Sequence, residues 1–192
     1  LIGADAALPV AVLNIGGVAN LTYIGPDRGL LAFDTGPGNA LVDDWVFKHS
    51  GRRFDDGGGL AANGSIDDER LARFLATPYF DRPPPKSLDR QAFADCDPGG
   101  LSLADGAATL TAFSAAAVAR SLSHLPAAPE RWIVAGGGRR NGTLMGMLTE
   151  RLAGEVVAAE AAGLDAVYVA LEPTDMREFM RLCTDENFRG FS

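Results

Sequence analysis

Three short segments carry residue types that can hold a phosphate and move a proton. In Asn14-Ile15-Gly16-Gly17 two glycines sit between β-rich runs, so backbone N–H groups can approach an anion with no side chain in the way. The same pair is equally the tip of an ordinary type I′ or II′ hairpin. In Phe33-Asp34-Thr35-Gly36-Pro37-Gly38-Asn39 an acidic residue ends an apolar run and a constrained corner follows. A carboxylate fixed there can act as a general base toward a hydroxyl or water, organise a metal, or simply cap the helix that begins near Gly38. The third segment, Ala135 to Asn141, has three consecutive glycines, Gly136, Gly137 and Gly138, after a buried run. Flat backbone of that kind can lie against a base or ribose, and Asn141 can cap the next helix and reach a ligand. Its spacing is not the G-x-G-x-x-G fingerprint of a dinucleotide-binding fold.

A fourth segment, Pro83-Pro84-Pro85-Lys86-Ser87 with Arg90, reads as a rigid extended lead into two basic residues. Lys86 and Arg90 are candidates for meeting a substrate or another lobe, with a solvated loop as the ordinary alternative. His49 and His124 lie near helix C-termini without metal-spaced partners and receive no role. The acids Asp55, Asp56, Asp67, Asp68 and Glu69 read as a solvated face.

The elements that must position these residues follow from periodicity and punctuation. Residues 10–24 form two strands pinched around Gly16-Gly17, and Leu30 to Phe33 makes a third strand ending at Asp34. Leu41, Val42, Trp45 and Val46 recur at helical spacing. Residues 51–66 are rich in Gly and Asp and read as loop; a short helix follows over 67–76. Together with the proline run, residues 50–100 look like an insertion over a site. From Ser102 to Leu125 a long Ala-rich helix keeps Leu103, Ala107, Leu110, Phe113, Ala117 and Leu122 on one face, which requires close packing on a sheet. Arg131 to Ala135 is a buried strand, a helix starts near Asn141, and another strand spans about 155–159. Three antiparallel strands followed by strand and helix alternation describe an α/β ribonuclease-H-like half-domain: a mixed sheet with helices on its faces. A doubly wound α/β domain fits the same pattern.

Composition bounds the rest. The 192 residues are 47% hydrophobic, enough for one good core, and carry a net charge of -8. That charge argues against a nucleic-acid partner, since phosphate backbones are held by clustered Lys and Arg. Cys96 and Cys183 lie far apart, which suggests neither a disulfide framework nor a zinc site and fits a cytoplasmic setting. No apolar run approaches the ~20 residues that span a bilayer, so no membrane partner is expected. The chain begins with Leu and reaches a strand within about ten residues, as a piece cut from something longer would.

Taken in order, VLNIGGVANLTYI, FDTGPGNALVDDWV, PYF-x-x-PPPKSLDR at 78–90 and VAGGGRRN-x-x-LM at 134–145 resemble the anhydro-N-acetylmuramic acid kinase family over residues 8–165. The resemblance implies a two-lobed kinase of the actin and hexokinase superfamily, with ATP and Mg²⁺ in the cleft between the lobes. Such an enzyme opens the 1,6-anhydro ring of a small amino sugar with water and phosphorylates O6, giving N-acetylmuramic acid 6-phosphate for peptidoglycan recycling. By motif, Asp34 matches the catalytic base. Gly16 and Gly17 match a phosphate-binding turn, and Gly136, Gly137, Gly138 and Asn141 the adenosine-side turn. Asn14, Thr35, Gly36, Lys86 and Arg90 are the weaker substrate candidates, and a homodimer is the assembly to look for.

Two departures qualify the resemblance. The family's first phosphate loop, of Gly-Thr-Ser-x-Asp-Gly type, has no match, so the N-terminal lobe is absent and residues 1–165 correspond to the C-terminal lobe alone. Residues 166–192 do not follow the family: Pro173 interrupts the run and Met176, Phe179, Met180 and Cys183 suggest a different short amphipathic helix, as a truncated or frame-changed gene end would give. Neither Glu172 nor Glu178 is assigned the acidic helper role. The expectation is therefore a kinase segment inactive by itself; the alternative is a non-catalytic nucleotide-binding half-domain that acts only with a partner lobe.

Overall fold

Apolar residues alternate along the first two strands, and that alternation sorts the sheet into two unlike faces. The computed structural model describes residues 8–162. Strands β1 (Val10–Ile15), β2 (Val18–Ile24) and β3 (Leu30–Pro37) form an antiparallel meander; β4 (Arg131–Ala135) adds parallel to β1, and β5 (Glu155–Ala158) parallel to β4. The order β3-β2-β1-β4-β5 is that of a ribonuclease-H-like half-domain and not of a doubly wound sheet, in which the first strands would be parallel.

On one face Ala11, Leu13, Ile15, Leu21, Phe33, Trp132 and Val134 join a core closed by helices α4 (Leu103–Arg120) and α5 (Gly142–Arg151). The opposite face has a small apolar cluster around Val10 and Ile133, and is more open along β2 and β3, where Asn20, Thr22 and Asp34 are partly buried and Ala32 is exposed.

Helix α4 is buried around most of its circumference, from Gly106 to Ala115, rather than along the single face that its periodicity suggests. A helix apolar all round must be enclosed. One side meets the sheet. The other supports a second core of Trp45, Val46, Phe74, Phe80, Phe93 and Phe113, supplied by α1 (Ala40–Ser50), α3 (Asp68–Leu75) and the segment between α3 and α4. Residues 50–100 thus pack mainly on α1 and α4, while Lys86 and Leu88 reach the edge of the open sheet face at Asp34.

Several local expectations are corrected. The 51–66 stretch is not all loop, because a short helix α2 (Gly59–Ala62) forms there. Its anchor is Asp55, expected to be solvated but buried, whose two carboxylate oxygens accept from the N–H groups of Leu60 and Ala61 at 2.7 and 3.0 Å. Strand β3 does not stop at Asp34; it runs on to Pro37 through a β-bulge.

The tightest helix contact is between α1 and α4. Trp45 Nε1 donates to the Leu103 carbonyl at 3.0 Å, and its indole lies so close over Gly106 that an added Cβ would overlap the ring. Gly106→Ala should therefore destabilise the fold by about 1–3 kcal/mol through overpacking, despite the better helix propensity of alanine. The midpoint of urea unfolding measures this; an unchanged or raised midpoint would contradict the packing described.

Candidate functional site

Parallel pairing of β1 with β4 sets Asn14 opposite Ala135, so the glycine segments that follow each strand leave the sheet at one edge. Gly16 and Gly17 form the β1–β2 turn, closed by Gly16 N–H donating to Val18 O at 3.1 Å. This turn grips the start of α1: Gly17 O accepts from Gly38 N–H at 2.9 Å, Gly16 O accepts from Asn39 N–H at 2.7 Å, and Asn39 Nδ2 donates to Ile15 O at 3.3 Å. Asn39, not Asp34, occupies the N-cap position of α1.

After β4, Gly136 adopts φ +74° and ψ −173°, a conformation essentially closed to other residues. A Cβ there would also sit 2.5 Å from Ile15 O and 2.7 Å from Asn14 Oδ1. Gly138 is buried against Ile15, while Gly137 is exposed, as is Gly17. Asn141 caps α5 as expected, its Oδ1 accepting from Leu144 N–H at 2.9 Å. Thr143 Oγ1 donates to Gly58 O at 2.8 Å, tying the 55–60 turn to the same edge.

Asp34 lies on the uncovered face. Asn14 pairs with Asn20 and Asn20 with Asp34, so the three polar residues form a row across β1, β2 and β3. At ~4.8 Å per strand, Asp34 is roughly 10 Å from β1 and about 14 Å from β4. It is thus nearer the Gly16-Gly17 turn than the Gly136–Gly138 turn. The bulge preserves this arrangement. Thr35 is the extra residue, fully buried with its hydroxyl donating to Ala19 O at 3.1 Å, and beyond it Gly36 faces the helices, against Phe80 and Ala117. Neither Thr35 nor Gly36 therefore presents a side chain or open backbone to the recess beside Asp34.

That recess holds about 150 Å³ and is lined by Asn20, Thr22, Ala32, Asp34 and Lys86. Burial raises the Asp34 pKa above the ordinary carboxylate value, opposed by the Leu88 N–H, which donates to Oδ2 at 2.7 Å. Tyr79 donates its hydroxyl to the Asp34 carbonyl at 2.6 Å; burial, then the Asp34 charge, push the phenol up to about 12.

Lys86 also lines the recess, but its side chain is buried and its ammonium donates inward, to the carbonyls of Tyr79 and Phe80. His124, given no role from sequence, approaches both that ammonium and Phe80 O through Nε2. Arg90 is exposed beside Gly17 and pairs with Asp44 at 3.1 Å. The polar row was the feature missed. Its signal lay in Asn14, Asn20 and Asp34 at positions where three successive strands each place a polar residue on one face.

Comparison with known proteins adds a second line of argument. The sequence model of anhydro-N-acetylmuramic acid kinases matches residues 2–172. The chain belongs to the anhydro-N-acetylmuramic acid kinase family. It is 54% identical over 160 residues to the kinase of Rhodospirillum rubrum, covering 83% of this chain and 43% of that protein. With the Rhizorhabdus wittichii kinase it shares 57% identity over 141 residues, covering 73% of this chain and 39% of the other. The chain thus spans about two fifths of the length of these curated relatives. Among solved structures, the activator of the 2-hydroxyisocaproyl-CoA dehydratase from Clostridium difficile with bound ADPNP superposes with a TM-score of 0.50 at 12% identity, over 88% of this chain and 67% of that one. This likeness concerns fold alone.

Among the described residues no helix is long and apolar enough to cross a membrane, and no group of three His, Cys, Asp or Glu side chains could hold a metal ion. Residues 166–192, expected to depart from the family, lie outside the described residues, and the family match reaches residue 172.

On the first turn of α1, Asp43 is pushed up to about 6, first by burial and then by the charge of Asp44, with Arg90 opposing. Its folded form holds a proton that the unfolded chain releases near pH 4, so this group removes stability as pH rises from about 4 through 6. Asp43→Asn should accordingly stabilise the chain at pH 7 by about 1 kcal/mol, after allowing for solvent screening of a half-buried group. The gain should shrink below pH 6 and vanish near pH ~4. Urea unfolding at the two pH values checks the sign.

Proposed function

We propose that this chain forms one wall of an ATP-dependent kinase that opens 1,6-anhydro-N-acetylmuramic acid with water and phosphorylates it at O6. The observation that carries this reading is the position of Asp34: a half-buried carboxylate of raised basicity on the open sheet face, beside a Gly-Gly turn, in a chain of this family. A carboxylate of that kind suits proton abstraction at neutral pH.

In the proposed step, a water held beside Asp34 gives its proton to the carboxylate as its oxygen bonds to the anomeric carbon. The bond from that carbon to O6 breaks, and O6 takes the γ-phosphoryl group while the bridging oxygen departs with ADP. The products are N-acetylmuramic acid 6-phosphate and ADP. Glycine turns Gly16-Gly17 and Gly136–Gly138 supply backbone toward the phosphates and the adenosine side, respectively, because their exposed members admit close approach. Little covalent work falls to the protein beyond positioning and one base.

Mg²⁺ fits such a site only if the nucleotide carries most of it, because the described residues offer no three-ligand cluster and Mg²⁺ usually binds through phosphates and one or two carboxylates. When bound, it would neutralise charge on the transferring phosphoryl group. The setting in this reading is the cytoplasm, where ATP and recycled cell-wall sugar meet. Asn14 and Arg90, at the turn edge, are the remaining substrate contacts we propose.

A recess of about 150 Å³ is smaller than the ~300 Å³ at the lower end of small-molecule pockets. The opposing wall would come from the part of the relatives that this chain does not span. We therefore expect no turnover from the 192 residues by themselves, read by phosphate transfer to the anhydro sugar. In a chimera joined to the remaining part of the Rhodospirillum rubrum kinase, Asp34→Asn should lower kcat by about 10²–10⁴-fold while ATP affinity stays within about twofold. Loss of ATP binding together with turnover, or of neither, would refute the role given to Asp34.

A further inference from the structure

Lys86 is a buried ammonium whose nearest partners are two carbonyls and an imidazole rather than a carboxylate. Nζ lies 3.3 Å from both Tyr79 O and Phe80 O, 3.2 Å from His124 Nε2, and 4.8 Å from the centroid of the Tyr79 ring. Burying a charge in this way is costly unless its donors are met, and here two carbonyls of one turn of chain meet it together with the His124 imidazole. That turn, residues 78–81, is joined to Lys86 by the proline run.

The same segment closes on Asp34 from several directions. Asp34 N–H donates to Lys86 O at 3.1 Å, Tyr79 hydroxyl donates to Asp34 O at 2.6 Å, and Leu88 N–H donates to Asp34 Oδ2 at 2.7 Å. Tyr79 appears on both sides: its hydroxyl holds β3, and its carbonyl holds Lys86.

We propose that Lys86 is a positioning residue for Asp34, its ammonium clamping the 79–88 loop so that the Leu88 N–H fixes one carboxylate oxygen and the other stays free for the reacting water. The proposal rests on the reading of Asp34 as the base. Lys86 acts through the chain: its ammonium is engaged by Tyr79 O, Phe80 O and His124, while the Asp34 carboxylate is held by the Leu88 N–H two residues beyond Lys86. Tyr79 and Lys86 are the titratable groups that face Asp34 from the loop. This role also separates Lys86 from Arg90, four residues on, which is exposed and paired with Asp44.

Two variants test the clamp from its two ends. Lys86→Met keeps an unbranched side chain one atom shorter and removes its donors; Leu88→Pro removes the N–H that donates to the carboxylate and keeps an apolar residue there. In the chain itself, ¹³C NMR titration of the Asp34 carboxyl should move upward in both, because a donor that favours the charged form is lost. In the chimeric kinase each should lower kcat by about 10–100-fold with the KM for ATP within about twofold, and the acid limb of the kcat profile should move upward. The double variant should lose little more than the worse single one, because both break one linkage.

A folded Lys86→Met protein with unchanged Asp34 titration and unchanged kcat would overturn the proposal, as would additive losses in the double variant. Should Lys86→Met fail to fold, Leu88→Pro decides alone, and unaltered titration and kcat in that variant refute the clamp. If Asp34→Asn proves active, the base reading falls, whereas the NMR titration still judges whether Lys86 holds the carboxylate.

Discussion

The parallel register between β1 and β4 is the constraint on which the rest depends. With Asn14 opposite Ala135, two segments separated by more than a hundred residues of sequence must turn away from the sheet side by side. Had β4 paired antiparallel, its glycines would have emerged at the far edge, and no common site would exist. Parallel pairing needs a long crossover, and here it is made by everything from α1 to α4. Helix α4 therefore has two tasks. It returns the chain to the sheet, and it presents a second buried side on which residues 55–96 build their own core.

That division packs one face of the sheet against helices and leaves a polar row on the other. Leu13, Ile15, Leu21 and Phe33 point into the helices, while their neighbours Asn14, Asn20 and Asp34 share the open face. Strict alternation would have continued past Asp34 and put Gly36 on the open side as well. The bulge at Thr35 instead turns the end of β3 toward α4, where only glycine fits between Phe80 and Ala117. The carboxylate thus stands at the last open-face position of a regular strand, rigidly held. Immediately after it the chain closes into the packed corner that leads to α1.

Much of this was legible in the sequence for identifiable reasons. Gly16-Gly17 between β-branched and apolar runs signals a hairpin, and Asn141 after three glycines signals both a turn and a cap; each feature is local. The failures were non-local. Thr35-Gly36-Pro37 reads as a corner, because neither a bulge nor the partner strand that absorbs it leaves a periodic trace. Asp55 sits in an acidic, glycine-rich stretch that reads as solvated, yet two N–H groups five and six residues on bury it. Lys86 follows three prolines and reads as a contact for a substrate or another lobe, or as a solvated loop, but its partners lie at 79, 80 and 124. Periodicity reports which face an element buries. It does not report which carbonyls a buried ammonium will find.

The misreading of Lys86 has a physical basis that also explains why a lysine would stand there. An apolar residue of similar volume would fill the space beneath the loop at lower desolvation cost, since an unpaired buried charge is expensive. It could not, however, add a donor to Tyr79 O and Phe80 O, which it would leave with the Arg82 N–H at 3.2 Å and His124 Nε2 at 2.9 Å, respectively. An ammonium with three donors meets both from one point and still reaches the imidazole of His124. The loop thus gains a defined geometry from a residue chosen for its number of donors, and that geometry delivers the Leu88 N–H to Asp34. A fixed hydrogen bond to one oxygen restricts rotation of the carboxylate, and it moderates the rise in basicity that burial alone would impose. One short segment outside the sheet thus supplies the hydrogen bond that bears on both the orientation and the basicity of this carboxylate, and the Lys86 ammonium is the group around which that segment folds.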